Sequence, residues 1–312
     1  MALPEALRQA VAAVAADLPP HDLSALSARL STAYRGGTPP PRLTPDLAAA
    51  YAAVRLPATF AAAQAALSQL RNRLPDWHPT STVDVGAGPG TAVWAAAAVW
   101  PEIARATLLE REEAMVALGQ RLQPPVPRTE WVQADLRTAW RADPADLVMA
   151  SYVLGEVEDA ANLVARLWGL TTGALVLIEP GTPAGFQRIR AARAHLVALG
   201  AHIAAPCPHG GDCPMAGGDW CHFAERVERS AAHRRAKGGA LGYEDEKFSF
   251  VAAARLEPVP SAGRVLRHPQ VRRGHVLLQA CTPDGLQRLT RTRSDGERYR
   301  AARDLRWGSE LR

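Results

Sequence analysis

The hydrophobic pattern changes character once along the chain. Up to residue 76 it is helical, with long alanine-rich stretches such as "LTPDLAAAYAAVRLPATFAAAQAALSQLRNRL", and Ser24 and Thr44 stand where helix N-caps are expected. From about residue 80, short apolar segments such as "TSTVDVGAG" and "ATLLERE" alternate with helical ones such as "TAVWAAAAVWP". Strands that alternate with helices predict an α/β fold, in which ligands bind at the carboxyl ends of the parallel strands.

The end of the chain predicts further strands. "EKFSFVAAARL" and "GHVLLQACTP" would complete a seven-stranded sheet with an antiparallel edge, and "GLQRLTRTRSDGERYRAARDLRWG" predicts a basic hairpin that turns at Ser294-Asp295-Gly296. The expected organisation is an N-terminal helical region (1–76), a nucleotide-binding core (77–204), a cysteine-rich insert (205–247), and the last strands with the basic hairpin (248–312).

A glycine loop follows the first predicted strand. Glycine in such a loop permits positive φ and lets a ligand touch the backbone. Glu110 ends the next strand, where it can accept hydrogen bonds from two ribose hydroxyls, and Asp135 ends the third strand, where it could face an adenine amino group. The candidate nucleotide-binding residues are Asp84, Gly86, Gly88, Gly90, Glu110 and Asp135.

The acidic residue at the start of this loop favours one ligand over others. A carboxylate at Asp84 suits a cationic amino-acid group and is unhelpful beside the pyrophosphate of a nicotinamide or flavin dinucleotide. The segment "VDVGAGPGTAVWA" resembles the first motif of class I S-adenosylmethionine-dependent methyltransferases. A dinucleotide site and a purely structural glycine turn stay open as alternatives.

The evidence for catalysis is weaker than the evidence for binding. The segment "SYVLGE" follows the fourth strand, where many nucleic-acid amino methyltransferases carry an Asn/Asp-Pro-Pro-aromatic run that holds the target amine. Tyr152 and Glu156 are the candidate catalytic residues, since both can line the pocket. The alternative is that Tyr152 belongs to the core and Glu156 is an acid at a helix N-terminus.

Three of the four cysteines lie within fifteen residues. Cys207, Cys213 and Cys221 stand in a loop rich in glycine and proline, and Cys281 ends a later strand. This loop has too little apolar content to order itself, so a bound metal would supply the missing folding energy. Zinc, with histidine ligands, and a four-cysteine [4Fe–4S] cluster both remain possible from the spacing.

These features together carry a family resemblance. The segment "CPHGGDCPMAGGDWCHFAERVERSAAHRRAKGGALGYEDEKFSFVA", the glycine loop and "RDLRWG" resemble the methyltransferase-like family of mitochondrial small-ribosomal-subunit proteins and their bacterial relatives, from about Tyr51 to the end. The resemblance implies a class I methyltransferase (Rossmann-like) core, an inserted metal-binding segment, and a role in small-subunit assembly through RNA contact. It also implies a [4Fe–4S] cluster held by Cys207, Cys213, Cys221 and Cys281.

The charge distribution and the lack of a recognisable targeting signal lead to predictions about partners and location. Residues 264–312 contain twelve arginines and five acidic residues, a net charge of +7, whereas the rest of the chain sums to −2. A basic end fits small-subunit ribosomal RNA, and a solvated arginine-rich surface is the alternative. Neither a leader nor a transmembrane run is evident, which predicts a cytoplasmic protein without a membrane partner. Three functions follow: an RNA methyltransferase, a non-catalytic assembly factor, or a methyltransferase for a protein or small molecule.

Overall fold

The computed structural model describes residues 2–36, 43–237 and 241–311. Its N-terminal region is helical, with α1 (Glu5–Ala16), α2 (Pro20–Gly36), α3 (Pro45–Val54) and α4 (Leu56–Arg73). Thr44 caps α3, since its hydroxyl accepts a hydrogen bond from the Leu47 amide at 3.3 Å. Ser24 is not a cap: it lies within α2, and its hydroxyl donates to the Ala236 carbonyl. Residues 37–42, between α2 and α3, lie outside the described residues.

The central region alternates strands and helices. Its elements are β1 (Ser81–Val85), α5 (Thr91–Val99), β2 (Arg105–Glu110), α6 (Glu113–Leu122), β3 (Arg128–Gln133), β4 (Ala145–Ser151), α7 (Ala160–Leu170), β5 (Thr171–Pro180), α8 (Pro183–Ala198), β6 (His202–Ala205), β7 (Phe223–Glu228), α9 (Ala231–Lys237) and β8 (Tyr243–Ala254).

These strands form one sheet in the order β3-β2-β1-β4-β5-β8-β6, with β7 also paired to β8. Strands β1 to β5 are parallel, and β8 runs antiparallel to its neighbours. This is the class I methyltransferase arrangement. The sheet has eight strands rather than the predicted seven: β6 and β7, which flank the cysteine-rich loop and both pair with β8, were not predicted, and one predicted strand lies outside this sheet. The antiparallel strand is not at the edge: residues 248–254 of β8 are buried and pair with β5, and its other side pairs with β6 at 252–254 and with β7 at 243–248.

The last residues form a second sheet, which the sequence did not predict. It contains β9 (Gly263–Val265), β10 (Gln270–Arg272), β11 (His275–Thr282), β12 (Gly285–Thr292) and β13 (Glu310–Leu311). The expectation that β11 completes the main sheet is therefore wrong: β11 pairs with β9, β10 and β12. No described helix is long and apolar enough to cross a membrane.

The basic hairpin also turns elsewhere than predicted. The turn lies between Thr282 and Gly285, whose φ is +105°. Thr292 and Asp295 instead form a reciprocal capping box, which leads through a short 3-10 turn into α10 (Glu297–Asp304). The capping bonds begin a helix where a returning strand was expected.

Candidate functional site

The glycine loop follows β1, and its backbone conformation favours glycine at three alternate positions. Gly86, Gly88 and Gly90 have φ values of +72°, +53° and +77°. A Cβ at Gly86 would overlap Cγ1 of Val153, whereas a Cβ at Gly88 would meet nothing within 4 Å. The backbone is therefore packed on one side at Gly86 and open at Gly88, where another molecule can approach it.

Asp84 is buried at the end of β1, with 1% of its surface exposed. Neither of its carboxylate oxygens has a hydrogen-bond partner within the described part of the chain. Burial, and next the nearby Glu110, raise the pKa of Asp84 to about 7. A buried carboxylate without partners is costly, so this position is suited to a ligand that brings a cationic or hydrogen-bond-donating group.

Asp84 faces a pocket between the glycine loop, α4 and the loop after β4. The hydroxyl oxygens of Thr91 and Ser151 are also buried without partners among the described residues. The residues that line the pocket are Tyr51, Thr59, Ala63, Asp84, Gly86, Ala87, Gly88, Thr91, Ala92, Ser151 and Tyr152. Unpartnered polar atoms of three residues therefore converge on one pocket, which indicates a polar ligand.

Glu110 is held in place by backbone amides. Its two oxygens accept hydrogen bonds at 2.8 Å from the amides of Gly88, Arg111 and Glu112. Burial raises its pKa, and these amides oppose that shift. A carboxylate has about four acceptor positions, so one remains for a ligand hydroxyl.

Asp135, predicted to face an adenine amino group, forms a contact with a neighbouring arginine. Its oxygens accept hydrogen bonds from the Arg137 guanidinium at 2.5–3.2 Å, and this contact lowers the pKa of Asp135 to about 2. Asp135 is not among the residues that line the pocket. Its assignment to adenine stays a prediction.

Of the two catalytic candidates, Tyr152 lies at the pocket and Glu156 does not. Tyr152 lines the pocket and has a φ of +63°, a conformation that non-glycine residues rarely adopt outside functional or strained sites. Burial raises its pKa well above the usual value, so the phenol is neutral. Glu156 is exposed and does not line the pocket.

A half-buried polar network, which the sequence did not predict, adjoins the pocket. Arg55 donates to both oxygens of Glu246 at 3.3 Å, and the Tyr152 hydroxyl donates to Glu246 at the same distance. Burial acts to lower the pKa of Arg55, but Glu246, then Tyr152 and Tyr51, raise it above its usual value, and Tyr51 also lines the pocket. The network joins the N-terminal helices to β8 and the loop after β4. The only sequence signal was the four-residue spacing of Tyr51 and Arg55, which puts them on one helical face.

The four cysteines lie close together and form no disulfide bond. Cys281 is buried in an apolar cluster against which Cys213 and Cys221 pack. Burial, followed by the influence of Cys207 and Cys213, raises the pKa of Cys281 to about 12. Burial, followed by the influence of the other three thiols, raises the pKa of Cys221 well above its usual value. However, no group of three or more His, Cys, Asp or Glu side chains in residues 2–36, 43–237 and 241–311 is arranged to hold a metal ion.

Two buried arginines accompany these thiols. Arg193 donates to the Cys207 sulfur at 3.3 Å and to the His209 and Gly211 carbonyls. Arg264 donates to the Pro206 carbonyl at 3.1 Å, and Cys207 is among the groups that oppose the lowering of its pKa by burial. A buried guanidinium is stable only beside acceptors or negative charge, so this environment favours thiolates more than an apolar pocket would.

Comparison with known proteins gives a family match over most of the chain. The family model described as mitochondrial small ribosomal subunit Rsm22 matches residues 45–312. The human ribosome assembly protein METTL17, mitochondrial, is 31% identical over 86% of this chain and 63% of its own length. The fission-yeast Rsm22-cox11 tandem protein 2, mitochondrial, is 28% identical over 72% of this chain and 38% of its own. The chain thus spans less than two thirds of either relative.

Solved structures resemble the chain more distantly. Magnesium protoporphyrin IX methyltransferase from Synechocystis PCC 6803, solved with bound S-adenosylmethionine, has a TM-score of 0.39 and 16% identity, covering 62% of this chain and 79% of that one. The plantazolicin methyltransferase BpumL, solved with S-adenosylhomocysteine, has a TM-score of 0.42 and 10% identity, covering 80% of this chain and 99% of that one.

The predicted cytoplasmic location is wrong by the same comparisons. The matching family and the human and fission-yeast relatives are all named as mitochondrial, which points to the mitochondrion. The prediction rested on the lack of a recognisable leader, and such a lack does not identify a compartment.

Proposed function

Because the chain belongs to the Rsm22 family of mitochondrial small-ribosomal-subunit proteins, we propose that it assists small-subunit assembly and binds S-adenosylmethionine beside Asp84. The observation that carries the ligand is the buried Asp84 carboxylate, which lacks a protein partner in the described residues and faces the pocket. S-adenosylmethionine brings an ammonium and a sulfonium to a methyltransferase fold, and both are cations.

Each part of this site has a defined task in the proposal. Asp84 holds the cationic amino-acid end, and the open backbone at Gly88 contacts the ligand directly. Glu110, fixed by three amides, accepts a hydrogen bond from the ribose. Bound S-adenosylmethionine supplies an electrophilic methyl group. Tyr152 stands at the pocket wall, where its neutral phenol can orient an acceptor or seal the site.

We also propose that the four cysteines hold a [4Fe–4S] cluster, with zinc as the alternative. Support comes from the proximity of the four sulfurs and from the two buried guanidinium groups beside them, which suit a negatively charged, thiolate-bound centre. Such a centre would tie the loop after β6 to β11. Protein purified under anaerobic conditions should be brown and contain four irons per chain. A colourless protein that contains zinc would reject the cluster.

A non-catalytic role is the second candidate, and the polar network favours it. Arg55, Glu246 and Tyr152 already satisfy one another at the pocket wall, and the sequence lacks the Asn/Asp-Pro-Pro-aromatic run that holds a target amine. In this candidate the fold is a scaffold that binds the small subunit or its ribosomal RNA without methyl transfer.

Labelled methyl transfer separates the two candidates. Purified small-subunit particles are incubated with the protein and radiolabelled S-adenosylmethionine. Transfer to ribosomal RNA that is lost in Asp84→Ala identifies an RNA methyltransferase. Binding to the particle without transfer identifies a scaffold, and transfer only to protein or to a small molecule would reject the RNA function. Failure of the protein to bind the particle at all would overturn the assembly role.

A further inference from the structure

The second sheet has one open face, which we call the outer face. Side chains directly opposite in neighbouring antiparallel strands lie on the same face. The register therefore places Gln279 of β11 beside Arg288 of β12, Leu277 beside Thr290, and His275 beside both Thr292 and Arg272. The outer face is defined by Gln270, Arg272, His275, Leu277, Gln279, Arg288, Thr290 and Thr292.

Helix α10 covers the opposite face. Val276, Leu278 and Ala302 are buried together there, and Leu289 and Tyr299 pack against them. On the outer face, by contrast, Gln270, Arg272, Gln279, Arg288 and Thr290 are exposed. Among the described helices, α10 is the one with substantial packing against β11, and it lies on the opposite side of the sheet.

The charge of the outer face has one sign. None of its eight residues is acidic, and the nearest acids in sequence, Asp284 and Asp295, lie in the turns at either end of β12. Neither Arg272 nor Arg288 forms an ion pair with a described carboxylate; Arg272 donates only to the Gln270 side chain. The arginines are available for an anionic partner, and the amides and hydroxyls around them can donate further hydrogen bonds.

The outer face also leads to the cysteines. Cys281 follows Gln279 by two residues on β11, so its side chain points to the same side of the sheet. There it is buried under the cysteine-rich loop. The loop therefore covers one end of this face and leaves the remainder open.

We propose that the outer face binds a strand of RNA through its phosphodiester backbone, with Arg272 and Arg288 as the phosphate contacts. This inference rests on the proposed function, since it gives the RNA-binding surface of the assembly factor. Strand spacing and rise separate the two arginines by roughly 16 Å, so they would contact phosphates several nucleotides apart. The face carries no Phe, Tyr or Trp on which bases could stack. Binding is therefore expected to depend on salt and little on base sequence.

A charge-matched pair of double variants tests the proposal. Arg272→Gln/Arg288→Gln removes two charges from the outer face, and Arg300→Gln/Arg303→Gln removes two exposed charges from α10 on the other side of the sheet. Fluorescence anisotropy measures binding of each full-length protein to fluorescein-labelled 20-nucleotide RNAs, one uridine-only and one of mixed sequence, from 50 to 200 mM KCl. A thermal melt confirms that all proteins are folded.

The outer-face variant should bind both RNAs at least tenfold more weakly than the wild type at 100 mM KCl. Its slope of log affinity against log salt should be shallower by about 1.4, since each phosphate contact on a single strand contributes about 0.7. The α10 variant should lose less than about threefold. Equal losses of affinity in the two variants would overturn the assignment of RNA binding to the outer face, while the proposed assembly role would stand. Binding to an acidic peptide but to neither RNA would overturn the choice of RNA. If the wild-type protein does not bind purified small-subunit particles, the proposed function is overturned as well.

Discussion

At the scale of single residues, the central feature is a buried carboxylate with no described partner. Asp84 stands at the end of β1, and burial raises its pKa to about 7. An isolated charge is costly in such a place unless a ligand compensates it. Asp84 is therefore expected to destabilise the ligand-free folded state, as residues of binding sites commonly do.

The raised pKa predicts how stability depends on pH. In the folded chain the Asp84 carboxyl stays protonated up to about pH 7, whereas in the unfolded chain it ionises above about pH 4, so the folded state binds the extra proton between these values. The contribution of Asp84 to the free energy of unfolding should fall as pH rises, by on the order of 3 kcal/mol between pH 5 and pH 8. Urea unfolding of ligand-free wild type and Asp84→Asn at both pH values measures it, because the variant lacks this titration. A stability difference between the two proteins that does not change with pH would refute the raised pKa.

Two glycines of the loop provide a matched comparison. Gly86→Ala would put a methyl group into the Val153 side chain at a positive φ, whereas Gly88→Ala meets open space at a similar φ. We expect Gly88→Ala to cost about 1 kcal/mol from backbone conformation alone and Gly86→Ala to cost about 3 kcal/mol. Thermal or urea unfolding of both variants checks this order. Equal losses would mean that the packing of Val153 against the loop is looser than described.

At the scale of elements, the polar network holds three parts of the chain together. Arg55 opens α4, Tyr152 follows β4, and Glu246 lies in the half of β8 that pairs with β7. The N-terminal helices are thereby connected to the pocket wall and to the strand that follows the cysteine-rich loop. The sequence did not predict this contact, since the three residues are more than 90 positions apart at each step and share no motif.

A double-mutant cycle measures the network. Arg55→Met and Glu246→Gln should each lower the free energy of unfolding by about 1–3 kcal/mol, since each leaves a partly buried group without its partner. The double variant should lose at least about 1 kcal/mol less than the sum of the two single losses. Arg8→Met with Glu5→Gln, an exposed pair on α1, is the control and should couple by less than about 0.5 kcal/mol. Additive losses at Arg55 and Glu246 would show that the pair is not coupled.

Elements differed in how far the sequence predicted them. The glycine loop and the alternating strands were predictable because local periodicity and turn chemistry specify them. The position of β8 inside the sheet and the separate second sheet were not, because long-range pairing decides them. The helix α10 was not predicted for a local reason: Asp295 forms a capping box with Thr292, whereas the sequence predicts a hairpin turn at Ser294-Asp295-Gly296.

At the scale of the whole molecule, the two proposed binding regions lie on different sheets. The pocket around Asp84 belongs to the main sheet, and the outer face belongs to the second sheet. Between them, Cys281 of β11 lies near the thiols of the loop after β6, so this loop is the junction of the two sheets. The sequence predicted a cluster of four cysteines and three of the residues that line the pocket, Asp84, Gly86 and Gly88. It could not identify the pocket wall from the N-terminal helices, since that wall is formed only when the helices pack on the sheet.

The binding of S-adenosylmethionine at Asp84 is the claim on which this account depends most. Isothermal titration calorimetry at pH 8, where Asp84 is mostly ionised, tests it directly with the wild type and Asp84→Asn. The account predicts one molecule bound per wild-type chain and at least a tenfold weaker affinity in the variant. Equal affinity in the two proteins, or no binding to a folded wild type, would contradict it.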